Sequence, residues 1–283
     1  MILTMNRPNI KMIVTDLDGT LLNDKSTISD ENLQTLGEVG NKNIIRVFAT
    51  GRSLYGVFKV FDRTSPFDYI VFSTGGGIYQ RETNDLIFSQ NIKLETVNKI
   101  TELLDAEKEN YCVTMPIPFN HKYYIKKHYE EEDFNNRNLL WINHIKDSDI
   151  EKTDSAAQII VIFPKYNNRF DILKEKILNV TSEVNIIKST SPISKNNIWL
   201  EVYPAGISKA TGVEKIAALR NISREEILGI GNDYNDIDFL DYCETAYVTN
   251  NSPHELQKKY KVTKSNNDNG FSQAVRNEIS LNK

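Results

Sequence analysis

Short apolar runs that alternate with amphipathic stretches do most to limit what this chain can fold into. Met12–Thr15, 44–49, Tyr69–Phe72 and 227–230 are each mostly apolar, four to six residues long, and followed by turn chemistry. Runs of this kind suit strands covered on both faces, as in a parallel sheet. Between them lie stretches with helical spacing. One is 29–38; another is Lys209–Arg220, where Val213, Ile216, Ala217 and Leu219 recur on one face. Strand and helix alternating in this order predict βαβ units and an open α/β fold, a Rossmann-like, mostly parallel sheet.

The middle of the chain has another texture, richer in Tyr, Asn, Lys and Glu and in turn signals. It still carries a strand pattern at 158–163 and helical patterns at 94–104 and 170–178. We read it as a second α/β domain, residues 84–190, inserted into a core made of 1–83 and 191–283. Its charge runs, Lys126-Lys127 and Glu130 to Asp133, read as solvated helix surface. With 34 Lys and Arg against 38 Asp and Glu, the net charge is −4. That weak acidity argues against nucleic acid or an anionic membrane as partner, since either calls for a basic face. Cys112 and Cys243 lack metal-type spacing and read as free thiols in a reducing compartment. The opening MILTMNRPNIK has neither a long apolar segment nor a small-residue cleavage pattern, so a cytoplasmic protein is expected. Oligomeric state is not legible.

Chemistry concentrates where the runs end. Thr15-Asp16-Leu17-Asp18-Gly19-Thr20 follows the first run, and by chance Asp-x-Asp-Gly-Thr would turn up in only a few chains per thousand, roughly, at this length. Two carboxylates there would sit at the strand ends where open α/β sheets bind ligands. Ala49-Thr50-Gly51-Arg52 closes the second run and would bring a hydroxyl and backbone N–H groups to the same crevice. Lys209 opens a helix after Ser208, where an amine can meet an anion. Gly231-Asn232-Asp233-Tyr234-Asn235-Asp236 offers oxygen ligands suited to a hard cation.

Taken in order, Asp-Leu-Asp-Gly-Thr, Thr-Gly-Arg, the lysine and Gly-Asn-Asp-Tyr-Asn-Asp resemble the four motifs of the haloacid dehalogenase-like phosphatases. The chain is most similar to the Cof-type branch, whose large α/β cap is inserted between the second and third motifs. Glu201, Ser208-Lys209, Val262-Thr263 and Asn269-Gly270 resemble that branch as well. The resemblance implies that Asp16 attacks phosphorus to form an aspartyl phosphate and that Asp18 is the general acid and base. It implies phosphate binding by Thr50, by backbone N–H groups such as those of Leu17 and Gly51, and by Lys209. It implies Mg2+ held by Asp16, the Asp18 carbonyl and the fourth motif. That motif departs from its commoner form, which has Asp where this chain has Asn232; either the Asn232 oxygen or Asp233 would then serve, with Asp236. At 73–77 the chain has three glycines where relatives carry Asn-Gly, and we read a turn and hinge.

Electrostatics asks for the same set. At about 4 Å and an effective dielectric near 20, each unit pair of like charges costs roughly 4 kcal/mol, so a carboxylate meets roughly 8 from a phosphate dianion. One lysine offsets about half of that, and a divalent cation makes attack feasible. The expected substrate is a small phosphomonoester such as a sugar phosphate, with a phosphomutase or a weakly active phosphate-binding protein as alternatives. Candidates for substrate selection in the inserted domain are His121, Lys122, Tyr123 and Tyr124, or Trp141, Asn143 and His144. His121 and His128, seven apart, would share a helix face, yet with no third ligand they predict no metal site.

Overall fold

Met12–Thr15 is a central strand of an eight-stranded sheet, and all four of its residues are buried. The computed structural model describes residues 9–140, 154–164, 168–191, 193–194 and 196–281. Across the sheet the order is Lys261–Thr263, Thr245–Thr249, Ile227–Gly231, Met12–Thr15, Ile45–Ala49, Tyr69–Phe72, Gly77–Gln80 and Asp85–Ser89. The first six run parallel, and Gly77–Gln80 returns antiparallel to Tyr69–Phe72. After Tyr69–Phe72 the chain leaves this sheet's parallel part and re-enters on the other side of the first strand, at Ile227–Gly231. That reversal is a topological switch point, where diverging connections leave a crevice outside the strand ends. Thr15 pairs level with both Ile230 and Phe48, so Asp16, Thr50 and Asn232 leave the sheet at nearly one height. The expected Rossmann-like core is the observed one.

Helices cover this sheet because their sequences cap and pack well. Ser29 caps Asp30–Asn41, and Ser208 with Thr211 forms a capping box at the head of Lys209–Arg220. Within the latter, a Cβ on Gly212 would lie 2.4 Å from Val71 Cγ1, so only glycine lets the helix lie this close to the strand. The glycine run has a similar reason. Gly75 has φ +101°, and a Cβ there would lie 2.0 Å from the Ser208 carbonyl oxygen.

Contacts divide the chain into two units: residues 1–52, 56–87 and 208–283, and residues 53–55 and 88–207. The second unit has its own antiparallel sheet, ordered Val184–Thr190, Asn197–Pro204, Ile159–Pro164, Tyr111–Thr114 and Tyr123–Lys126. Helices Leu94–Ala106 and Arg169–Val180 bury Val97, Ile100, Leu104, Phe170, Leu173 and Ile177 against one face. On the other face Cys112, Tyr123, Ile160, Ile162 and Trp199 gather around Phe134 from the helix Glu132–Leu140. An inserted β-rich α/β domain is therefore present. Its far boundary differs from the sequence division at 190/191: Asn197–Pro204 pairs on both sides with strands of this sheet, which carries the unit to residue 207. Nor do His121 and His128 share a helix, for Tyr123–Lys126 between them is a strand, and His128 Nε2 lies 2.8 Å from Asp105 Oδ1. Asp133, expected on a solvated surface, is buried. Trp141, Asn143 and His144 lie outside the described residues. Both cysteines are free and buried, and burial raises both thiol pKa values. No helix among the described residues is long and apolar enough to cross a membrane.

Candidate active site

Everything in the site comes from the first unit. Asp16 is the residue after the first strand, its N–H donating to the Ile230 carbonyl at 2.9 Å, and it is 5 % exposed. Lys209, the first residue of its helix, is fully buried and reaches back to the same point. Its Nζ donates to Asp16 Oδ1 at 2.7 Å and to Asp236 Oδ1 at 2.6 Å. Asp236 is also fully buried, and its second oxygen accepts the backbone N–H groups of Asn232 at 2.8 Å and Asp233 at 3.0 Å. One ammonium thus serves two buried carboxylates.

The charge balance follows from that geometry. Burial pushes Asp16 up to about 8; Lys209 opposes the shift, while the charges of Asp236 and Asp18 add to it. Burial alone would lower the Lys209 pKa, but its two carboxylate partners outweigh burial and raise it, so the amine stays charged. A buried carboxylate that still lacks compensation is poised for a further cation.

Asp18 behaves differently from Asp16, two residues away. Its side chain is about half exposed, and Arg52 grips it from both sides of the guanidinium fork, Nη2 to Oδ1 at 2.5 Å and Nε to Oδ2 at 2.7 Å. Hydrogen bonds and charge from Asp18 raise the Arg52 pKa despite burial, which works the other way. The sequence gives Arg52 no role beyond its place in the Thr-Gly-Arg run; that run was the available signal. Thr50 is buried, its N–H donates to the Val71 carbonyl and its hydroxyl accepts the Arg52 N–H at 3.1 Å. The turns that hold Leu17 and Gly51 follow the strands Met12–Thr15 and Ile45–Ala49. Ser73 and Thr74, both in the left-handed region, pin this turn by donating their N–H groups to the Arg52 and Thr50 carbonyls.

The oxygen ligands expected of the fourth motif separate into two groups. Asn232 sits with Asp16 and Asp18: one side-chain amide atom lies 3.2 Å from Asp16 Oδ2, 3.0 Å from the Asp18 carbonyl oxygen and 3.0 Å from Thr20 Oγ1. Asp233 instead caps its own turn, accepting the Tyr234 N–H at 2.8 Å, and Asp236 is engaged by Lys209 and the backbone. Among the described residues, no group of three His, Cys, Asp or Glu is arranged to hold a metal. A carboxylate, a peptide carbonyl and a carboxamide do converge, and all three are hard oxygen donors. Their spacing suits adjacent ligands of an octahedral cation bound at about 2.0–2.1 Å, whose neighbouring oxygens are about 3 Å apart.

Comparison with known proteins agrees with this architecture. The family model described as haloacid dehalogenase-like hydrolase matches residues 13–275. The 5-amino-6-(5-phospho-D-ribitylamino)uracil phosphatase YcsE of Bacillus subtilis is 24 % identical over 273 residues, covering 96 % of both chains. The phosphatase YwpJ of the same organism is 23 % identical over 292 residues, covering 94 % of this chain and 99 % of its own. A phosphatase of the haloalkanoate (HAD) enzyme superfamily from Bacteroides thetaiotaomicron superposes with TM-score 0.77 at 20 % identity, covering 96 % of each chain.

Proposed function

The chain belongs to the haloacid dehalogenase-like hydrolases, and from that premise we propose that it is a Mg2+-dependent phosphomonoesterase of the Cof type, acting on small sugar phosphates in the cytoplasm. The observation that carries the reading is the buried Asp16 at the switch point, held by Lys209 and faced by the Asp18 carbonyl and Asn232. In this reading residues 84–190 and the strand that follows them form a cap that selects the substrate. The named substrate of the YcsE relative is a phosphorylated ribityl compound, which favours a phosphorylated polyol or sugar here.

In the proposed mechanism the Asp16 carboxylate attacks phosphorus, and the bond from phosphorus to the leaving oxygen breaks. Asp18 gives its proton to that oxygen, so an alcohol departs and an aspartyl phosphate remains. Water then attacks phosphorus while Asp18 takes its proton, which releases inorganic phosphate and restores both carboxyl groups. Arg52 is a positioning residue that sets the Asp18 side chain over the site and must yield one oxygen for proton transfer. Lys209 and the Thr50 hydroxyl, with the Leu17 and Gly51 N–H groups, receive the phosphoryl oxygens. Asp16 Oδ2, the Asp18 carbonyl and the Asn232 oxygen would hold Mg2+, which supplies charge neutralisation between carboxylate and phosphate. Asp233 and Asp236 leave the ligand set in this reading, because their oxygens are engaged elsewhere.

The test is phosphate release from sugar phosphates, nucleotides and a chromogenic ester, with Mg2+ and with chelator. Release that requires Mg2+ and ranks sugar phosphates first is the expected result. No release from any compound would overturn the hydrolytic reading, and dependence on a bisphosphate activator would replace it with a mutase.

A further inference from the structure

A carboxamide presents an acceptor on one side and two donors on the other, and a half-turn about its last bond exchanges them. For Asn232 the two settings have opposite merits. With nitrogen inward, its hydrogens meet Asp16 Oδ2 at 3.2 Å and the Asp18 carbonyl oxygen at 3.0 Å, with Thr20 Oγ1 also at 3.0 Å. With Asp16 as carboxylate, neither of the first two atoms can donate, so this setting satisfies the site without a metal. With oxygen inward, Thr20 Oγ1 donates to it at 3.0 Å, but the oxygen then faces the same two acceptors. Three oxygens so close repel one another until a cation sits among them.

Resting on the Mg2+ reading above, we propose that Asn232 is a two-position carboxamide: its NH2 keeps the metal-free site assembled, and its oxygen turns inward to ligate the cation. An aspartate at this position could do only the second. Without a cation it would set a third carboxylate beside Asp16 and Asp236, which already share one ammonium from Lys209. Gly19 leaves the room that the amide needs. Its φ is +78°, and a Cβ there would stand 2.5 Å from the outward amide atom. Thr20, fully buried beneath the inward atom, can donate to an oxygen or accept from a nitrogen and so serves either setting. The cost falls on metal affinity. The ligand is neutral, and binding must first break two hydrogen bonds, so the cation is held more loosely than an aspartate would hold it.

The experiment is thermal unfolding and calorimetric Mg2+ titration at pH 8 without substrate, on the parent, Asn232→Asp and Asn232→Ala. Asn232→Asp should unfold several degrees lower than the parent in chelator. It should also show the larger rise with Mg2+, half-saturated at a concentration at least ~10-fold lower. Asn232→Ala should likewise unfold lower in chelator, because the metal-free hydrogen bonds are gone, yet bind Mg2+ no more tightly than the parent. Asn232→Asp curves that superimpose on the parent, in chelator and with Mg2+, would overturn the proposal. If the parent meanwhile releases phosphate with Mg2+, the functional reading survives and this inference alone fails. A parent that shows neither Mg2+ binding nor Mg2+-dependent release overturns both.

Discussion

The two edges of the parallel sheet carry charges in opposite proportion. At the edge where strands begin, Asp68 meets Arg46 through Nε at 2.9 Å and Nη2 at 2.8 Å, with Arg81 at 3.6 Å, while Lys11 pairs with Glu226 at 2.6 Å. At the edge where strands end, Asp16, Asp18 and Asp236 face Lys209 and Arg52. Burial works against both Asp68 and Asp16. Arg46 outweighs it at Asp68 and holds that carboxyl below the usual range, whereas at Asp16 burial wins and the pKa rises. One edge is matched and contributes to stability. The other is left short of positive charge, which lowers the stability of the free protein and, in the proposed reading, leaves a place for a cation and a phosphate.

That contrast breaks first on turnover. Asp16→Asn keeps the shape and removes the nucleophile, so phosphate release should fall at least ~10⁴-fold with the circular dichroism spectrum unchanged. Turnover near the parent's would end the mechanism. Asp18→Asn should lose about 10²–10⁴-fold in the same assay, the range of a general acid–base group. Arg52→Gln should lose less than Asp18→Asn and should change the pH–rate profile, because it frees Asp18 without removing it. An Arg52→Gln enzyme with the parent's rate and profile would show that the ion pair positions nothing.

How much of this was legible depended on range. Asp16, Thr50 and Lys209 stand where a hydrophobic period stops, and local pattern alone placed them at strand ends or a helix start. The strand Asn197–Pro204 was missed, since Glu201 in its middle interrupts the apolar run and its pairing partners are distant in sequence. Buried donors on that glutamate's neighbours explain why the charge is tolerated: Tyr203 OH donates to Glu201 at 2.6 Å, and Gln158 and Ser189 donate as well. The grip of Arg52 on Asp18, 34 residues away, and the diversion of Asp236 to Lys209 are properties of side-chain direction. Spacing in the sequence carries no such information, so the fourth motif could be read as a set of oxygens but not divided into those that face Asp16 and those that do not.

The matched edge should respond in the opposite way to the site. Asp68→Asn removes a charged acceptor from Arg46 and should lower stability by about 1–2 kcal/mol, measured by denaturant unfolding. Phosphate release should stay within about twofold of the parent's at a temperature where both are folded. A drop in turnover with unchanged stability would mean that the two edges are not independent.

The most discriminating effect is the pH dependence of the metal-free fold. Asp16 is raised from 3.8 to about 8 on folding, so the folded state binds a proton that the unfolded state releases. Its favourable term is therefore complete below pH 3.8 and is lost as pH rises through about 8. Asp16→Asn has nothing to titrate there. In chelator, its unfolding midpoint minus the parent's should be near its minimum around pH 4 and should grow by several degrees toward pH 8.5. Asp68 runs the other way: its folded pKa is depressed, so its contribution is present above 3.8 and fades as pH falls below that value. The deficit of Asp68→Asn should hence be constant near neutrality and shrink in acid. Two difference curves with slopes of the same sign would mean that the edges do not differ in charge balance, and the shortage of positive charge at Asp16 would no longer be a reason to expect a cation there.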